Sequence, residues 1–271
     1  MSSHLAARVA LPRRLLLCGS VVALTQRRAG PSQAAQAASP AQLQDLFLKA
    51  SQLANEGKLE EADETWTKAI EAAPNNSASW SNRGAVRLQR LMWKEAAEDL
   101  RHAAEDLDKG DSPGRALALN NYGNALVAVH DERAIELYRR AAQMAPDDLG
   151  EIAGQNVALA LFEFGKVQEA VDEARKLLRR DPRFYDARCA LSAFLYAAGS
   201  TGDAEREWEA LQNDGVGATL YPRKDAGAVA RVRNRWPPRA TAALDAFLRL
   251  DTSGNAMDWD GEVKSFAITV V

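Results

Sequence analysis

Residues 77–103 read SASWSNRGAVRLQRLMWKEAAEDLRHA, and the spacing of five residues in this stretch decides the fold. Trp80, Gly84, Ala96, Leu100 and Ala103 hold places 4, 8, 20, 24 and 27 when the stretch is counted from its first residue. Residues of the same size recur at the same places before and after it. This recurrence predicts a chain built from copies of one structural unit.

The period is about 34 residues. Five copies lie at residues 43–76, 77–108, 115–149, 151–184 and 185–216. Small residues at places 8 and 20 suit a crossing of two helices, because a bulky side chain would push them apart. Glycine at place 15, as in Gly57, Gly165 and Gly199, permits a tight bend between the helices. Proline at place 32, as in Pro74, ends the second helix.

This pattern resembles the tetratricopeptide repeat family over about residues 43–216. The resemblance implies an all-α fold: a right-handed α-solenoid of about five helix-turn-helix units, each burying its apolar face against its neighbours. Three residues depart from the pattern. Gly154 and Arg188 replace the large residue at place 4, and Arg87 replaces the one at place 11. We expect the packing to be disturbed at these three places and the fourth and fifth units to be looser.

Residues 217–250 follow the last repeat and predict capping helices. Pro238 suits the first turn of a helix. An apolar stripe follows, formed by Ala243, Leu244, Phe247, Leu248 and Leu250. Since a solenoid needs its open end covered, we expect this helix to cover the open face of the fifth repeat.

Residues 251–271 predict a polar tail. Asp251, Ser253, Asn255 and Glu262 match four places of a calcium loop, but alanine stands where the loop needs glycine. We therefore expect no metal site there.

Residues 1–40 predict a targeting leader that is disordered or cleaved. Pro12-Arg13-Arg14 precedes the apolar run LLLCGSVVAL at residues 15–24, and Ala35-Gln36-Ala37 supplies small residues for cleavage. The paired arginines resemble a twin-arginine signal. Together with the repeats and the Arg-Trp-Pro-Pro motif at 235–238, the leader resembles tetratricopeptide proteins of cyanobacteria and of the chloroplast thylakoid lumen. We expect that location, with the mitochondrion as the alternative.

Charge and composition narrow the function classes. The chain carries 34 basic and 37 acidic residues, and residues 1–44 contain five arginines and no acid. The remainder therefore holds 29 basic against 37 acidic residues, a net charge of −8 that disfavours nucleic acid. No apolar run reaches about 18 residues, so we expect no permanent membrane span.

Nothing in the sequence predicts catalysis or a cofactor. His102 and His130 have no Cys or His at metal-ligand spacing, and Cys189 has no histidine nearby. No nucleophile or phosphate-binding motif is present. We therefore expect a protein that is not an enzyme.

The resemblance implies that the first helix of each unit lines a concave groove, with places 2, 5, 6, 9, 12 and 13 turned towards ligand. Place 6 is Asn82, Asn121 and Asn156 in the second to fourth units. Further candidates are Asn120 and Asn124 at places 5 and 9 of the third unit and Phe47 in the first. An amide donates and accepts, so it can pair with a peptide backbone. The alternative, that these asparagines brace neighbouring helices, stays open.

The sequence thus predicts a non-enzymatic scaffold that holds a protein or extended peptide in its groove. The resemblance to thylakoid-lumen tetratricopeptide proteins implies an assembly or stability factor for a thylakoid, photosynthetic complex. The alternative is a stoichiometric structural subunit of a large organellar complex, chloroplast or mitochondrial. The sequence specifies neither the partner nor the oligomeric state.

Overall fold

The structure is a computed structural model that describes residues 39–107, 110, 112–145, 148–222, 226–233 and 235–249. The predicted leader lies outside the described residues except for its last two. The predicted polar tail and its calcium-loop places lie wholly outside them. Where the chain is described, all of its regular elements are helical.

Two consecutive helices fall within or just ahead of each predicted repeat, which confirms the predicted all-α fold. In the first three repeats they are α1 (Pro40–Asn55), α2 (Leu59–Ala72), α3 (Ser77–Gln89), α4 (Trp93–Arg101), α5 (Pro113–Ala128) and α6 (Arg133–Met144). A π-helical segment, His102–Leu107, continues α4. The last two repeats contain α7 (Asp148–Glu163), α8 (Val167–Arg180), α9 (Tyr185–Ala197) and α10 (Thr201–Asn213). After them come α11 (Gly215–Leu220), α12 (Ala226–Arg233) and α13 (Pro238–Arg249).

The chain divides into two compact units within α5. The described residues of the N-terminal unit run from 39 to 125, and those of the C-terminal unit from 126 to 249. In the N-terminal unit α2 packs on α1, α3 on α2 and α4 on α3. In the C-terminal unit α6 through α10 pack on one another in the same successive way. No described helix is both long and apolar enough to cross a bilayer.

Several of these helices have their N-terminus capped by a nearby side chain. Ser39 and Gln42 form a capping box at the start of α1: Ser39 Oγ accepts from the Gln42 N–H, and Gln42 Oε1 accepts from the Ser39 N–H. Asn76 caps α3 by accepting from the N–H of Ser79 at 3.0 Å. Each cap satisfies backbone donors that a helix leaves unpaired at its N-terminus.

A residue in the left-handed region follows the first helix of every repeat. Its φ is +76° at Gly57, +61° at Leu91, +58° at His130, +79° at Gly165 and +80° at Gly199. In each turn the following N–H donates to the carbonyl five residues earlier, at 2.8 to 2.9 Å, which is the hydrogen bond of a Schellman turn. The sequence predicted this bend at the three glycines. Leucine and histidine adopt the same conformation because the chain must reverse there in every repeat.

Gly84 shows why place 8 must be small. A Cβ atom at this position would lie 2.6 Å from Leu100 Cγ and 3.3 Å from the carbonyl oxygen of Ala96. Leu100 and Ala96 are fully buried. The prediction that small residues mark the crossing of α3 and α4 is therefore confirmed.

Two of the three departures from the repeat pattern are compensated by neighbouring residues. Leu177 packs against Gly154, where an added Cβ would lie 2.8 Å from the leucine Cδ2. Arg188 donates from Nη1 to Glu207 Oε2 at 2.6 Å and from Nη2 to the Pro182 carbonyl at 3.0 Å. The expectation of looser packing at these two places is wrong, because a larger or a charged neighbour occupies the space.

Candidate functional site

Asn82 lies in the middle of α3, two residues before the tightly packed Gly84. Its side chain is 3% exposed. The amide nitrogen Nδ2 has no hydrogen-bond partner among the described residues. A buried donor without a partner costs about 1–3 kcal/mol, so this amide is a place where an added acceptor would be favourable.

A buried network of charges holds α3 in place beside Asn82. The Arg83 guanidinium makes a bidentate pair with Asp99, with Nε to Oδ2 at 2.9 Å and Nη2 to Oδ1 at 2.8 Å. Arg87 bridges Asp99 and Asp63 at 2.9 and 3.2 Å, and Arg90 also binds Asp63. Arg87 is the third departure from the repeat pattern. The expectation of disturbed packing there is wrong too, since its charge joins α3 to both α2 and α4.

The asparagines of the third repeat cluster on α5. Asn120 and Asn121 are buried, and Asn124 is half-buried. The Asn124 amide Nδ2 lies 3.4 Å from Asn121 Oδ1, and Asn120 and Asn124 have further interactions within the chain. The structure thus brings Asn121 and Asn124 together, whereas Asn82 lies on a different helix.

The two remaining predicted residues lie elsewhere. Asn156 is buried in α7, has interactions within the chain and belongs to the C-terminal unit. Phe47 is half-buried, and its ring meets the Trp66 ring edge-on at a centroid distance of 4.8 Å. The position of Phe47 is therefore that of a core residue of the first repeat. Its predicted role in a ligand pocket, like the roles of the asparagines, stays a prediction.

In the C-terminal unit α13 packs against α9 and α7. Its first turn meets the end of α7, where Glu163 Oε2 accepts from the Arg239 backbone N–H at 3.0 Å. Towards its other end Phe247 contacts Tyr196 and Trp208, with ring centroids 5.6 and 5.8 Å apart. These contacts place both ends of α13 on the fourth and fifth repeats.

A second set of contacts ties the residues on either side of α12 to the start of α9. The Arg235 guanidinium donates to both carboxylate oxygens of Asp186, at 2.6 and 3.1 Å. The Tyr221 hydroxyl donates to the same carboxylate and accepts from Arg235 Nη2 at 3.1 Å. Asp186 and Arg235 are each 12% exposed in their side chains, so the pair is largely removed from water.

The position of α13 differs from the predicted cap. The helix, its Pro238 start and its buried stripe of Ala243, Leu244 and Phe247 agree with the sequence prediction. A helix in the place of a sixth repeat would pack chiefly on α10, as α9 packs on α8. Instead α13 packs on α9 and α7, the first helices of two repeats. The predicted contact with the fifth repeat is present, through α9 and Trp208, but the face that α13 covers is formed by the first helices of the fourth and fifth repeats and is not the open end of the stack.

Sequence reasoning missed Glu163 and Asp186 as candidate functional residues. Both are acidic residues at places 13 and 2 of their repeats, which the family resemblance predicts to face a ligand, and this was the signal in the sequence. Burial raises the pKa of Glu163, an effect opposed by the Arg239 backbone N–H and the charges of His130 and Arg239.

Burial also raises the pKa of Cys189 well above its usual value. Across the described residues no three His, Cys, Asp or Glu side chains converge as a metal site.

No protein-family model and no curated protein sequence matches the chain. Solved structures do match. YrrB, described as a TPR protein with an unusual peptide-binding site, is 21% identical with a TM-score of 0.50, covering 63% of this chain and 86% of its own. MamA is 18% identical with a TM-score of 0.56, covering 66% and 95%. PilW, a type IV pilus biogenesis factor, is 20% identical with a TM-score of 0.55, covering 79% and 94%.

The chain has the tetratricopeptide-repeat fold. In that fold the first helices of successive repeats line the concave face. Asn82 holds place 6 of the second repeat, which the family resemblance predicts to face a ligand. In the fourth and fifth repeats, places 13 and 2 hold Glu163 and Asp186, both bound by the C-terminal residues described above. The family resemblance predicts that these places, too, face a ligand. Within the C-terminal unit α13 therefore lies on the concave side.

Proposed function

We propose that the protein is a non-enzymatic scaffold that binds an extended peptide or protein segment through the first helices of its N-terminal repeats. The observation that carries this proposal is the buried amide nitrogen of Asn82, which has no partner among the described residues and lies at place 6, predicted to face a ligand. The backbone carbonyl of an extended peptide can accept a hydrogen bond from this amide nitrogen. Every peptide has such carbonyls, so this contact does not depend on the sequence of the peptide. None of the three similar structures is described as an enzyme.

The rigidity of α3 supports this role. Its arginines are fixed to Asp63 and Asp99 on the neighbouring helices, so the Asn82 backbone is held in one position. A donor held on a rigid element loses little entropy when it binds. Because the side chain is 3% exposed, a ligand reaches it after neighbouring side chains move outward.

Substitution of Asn82 by alanine separates ligand contact from helix bracing. If the amide is a ligand donor, Asn82→Ala removes an unsatisfied group and leaves the free protein as stable or more stable. Binding of peptides selected from a displayed random library then weakens roughly tenfold, as expected for one hydrogen bond. The matched control is Asn213→Ala, at the exposed end of α10. A clear loss of stability without a loss of peptide affinity would assign Asn82 to bracing and contradict the proposal.

We further propose that the protein acts in the thylakoid lumen as an assembly or stability factor for a photosynthetic complex. The arginine-rich leader with its apolar run and the Arg-Trp-Pro-Pro motif support this proposal. Import into isolated chloroplasts tests the location, with a shortened product protected inside thylakoids as the expected result. Import into mitochondria alone would contradict it. One-to-one cofractionation with a complex at steady state would favour the structural subunit instead.

A further inference from the structure

We infer that the concave face of the fourth and fifth repeats is a helix-binding surface whose resident ligand is the chain's own C-terminal segment. That segment consists of Tyr221, α12, Arg235 and α13. The inference goes beyond the proposed function, because it concerns the C-terminal unit and does not depend on Asn82. The kind of partner that fits this surface is an amphipathic helix preceded by an arginine.

The contacts fall at ligand-facing places of the repeats. Asp186, at place 2 of the fifth repeat, receives Arg235 and the Tyr221 hydroxyl. Glu163, at place 13 of the fourth repeat, receives the N–H of Arg239. The segment thus engages polar groups that a concave tetratricopeptide face presents to a ligand.

Aromatic contacts complete the surface. Phe247 lies against Tyr196, at place 12 of the fifth repeat, and against Trp208 on α10. At the fourth repeat the Arg239 guanidinium lies over the ring of Phe162, 5.5 Å from its centroid. An aromatic anchor at one end and a capped helix start at the other fix both the position and the direction of α13.

These contacts specify what else fits the same face. A partner needs an amphipathic helix with an aromatic residue on its apolar side and an arginine shortly before its N-terminus. Asp186 then receives the arginine and Glu163 receives the first free N–H groups of the helix. Such a partner must displace the C-terminal segment, so its apparent affinity is reduced by the fraction of chains in which the segment is bound.

The Arg235–Asp186 pair allows a test in the full chain. Arg235→Ala removes the guanidinium and leaves Asp186 Oδ2 available for a donor supplied from outside, while the Tyr221 hydroxyl still binds Oδ1. We expect amide hydrogen exchange in α13 to accelerate at least tenfold in this variant, while exchange in α8 is unchanged. Arg249→Ala is the control, because Arg249 lies on α13 and, within the described part of the chain, makes its ion pair with Asp245 at the surface.

The second arm adds a labelled synthetic peptide with the natural sequence of residues 226–249 and measures its anisotropy. We expect the peptide to bind the Arg235→Ala chain at least tenfold more tightly than the natural chain, because the peptide still carries Arg235. The double variant Asp186→Asn/Arg235→Ala is expected to lose this gain. If Arg235→Ala lowers the melting temperature of the whole chain, Tyr221→Phe takes its place, since it removes only the hydroxyl that binds Asp186.

Two results would overturn the inference. One is α13 exchange that stays equal to that of α8 in both variants, which would make the segment part of one cooperative core. The other is peptide affinity that does not rise in the variants, or that rises equally with Asp186→Asn present. Neither result bears on the Asn82 experiment, which measures selected peptides on the N-terminal repeats.

Discussion

Glu163 on α7 caps α13 across 76 residues of sequence, with its Oε2 accepting from the Arg239 backbone N–H at 3.0 Å. Burial raises the pKa of Glu163 from an ordinary 4.5, although the Arg239 N–H and the charges of His130 and Arg239 oppose the shift. The folded chain therefore keeps a proton on Glu163 at pH values where the unfolded chain has released it. The resulting contribution to stability is present below about pH 4.5 and is lost as the pH rises through the raised pKa.

Glu163→Gln tests this relationship, because glutamine keeps an acceptor and has no charge to desolvate. We expect the melting temperature at pH 7 to be equal to or above that of the natural chain. The advantage should shrink as the pH falls through the raised pKa of Glu163 and be absent below about 4.5, where the carboxyl is protonated in the folded and the unfolded chain alike. Scanning calorimetry across this range measures it, with the exposed Glu205→Gln as control. A lower melting temperature at pH 7 would show that the charge of the cap outweighs its desolvation.

Asp99→Asn is expected to be strongly destabilising. Asp99 is buried and pairs with both Arg83 and Arg87, so the substitution leaves two guanidinium groups without their shared charge. We expect the free energy of unfolding to fall by about 3 kcal/mol, as for other broken buried pairs. Urea unfolding measures this loss. Asp203→Asn, which breaks an exposed pair with Arg206, should cost below about 0.5 kcal/mol, and equal losses would contradict the role of burial.

The left-handed φ at the turn between the two helices of a repeat allows backbone strain to be tested apart from side-chain packing. A Cβ at Gly57 would meet no atom within 4 Å, so Gly57→Ala changes only the backbone preference. We expect a loss of about 0.5–1 kcal/mol, because the strain of about 1–2 kcal/mol exceeds the gain from a stiffer unfolded chain. Leu91→Gly should give a gain of similar size, since the leucine is 43% exposed and loses little burial. Chemical unfolding measures both changes.

Gly215→Ala is the control for this pair. An added Cβ there also meets no atom, and its φ lies outside the left-handed region. It should be neutral or slightly stabilising. If Gly57→Ala behaved in the same way, the turn would not be strained for a residue with a side chain.

Spacing in the sequence was sufficient to locate the helix pairs, because the signals are local. The small Gly84 and the large Leu100, for example, indicate that α3 and α4 cross within one repeat. The same reasoning did not predict left-handed backbone at Leu91 and His130, where no glycine marks the turn. Those two residues follow the conformation that the reversal of the chain imposes.

Residues that broke the pattern were misjudged for a related reason. Arg87, Gly154 and Arg188 were expected to disturb the packing, since each lacks the usual large apolar side chain. The partners that compensate them, such as Asp63 for Arg87 and Leu177 for Gly154, come from other helices. Periodicity describes one helix face at a time and carries no information about which partner faces it.

The sequence by itself determined the repeat fold and where its helices fall, because helix periodicity, caps and crossing residues act over a few turns. It also determined that α13 would form behind Pro238 with a buried apolar stripe. Only the tertiary structure decided which surface that stripe covers. The choice depends on Asp186 and Glu163 meeting Arg235 and Arg239, contacts between residues 49 and 76 positions apart. An apolar stripe shows that a helix must be buried against some surface. The paired polar groups determine which surface that is, because they bind only where a partner stands opposite them.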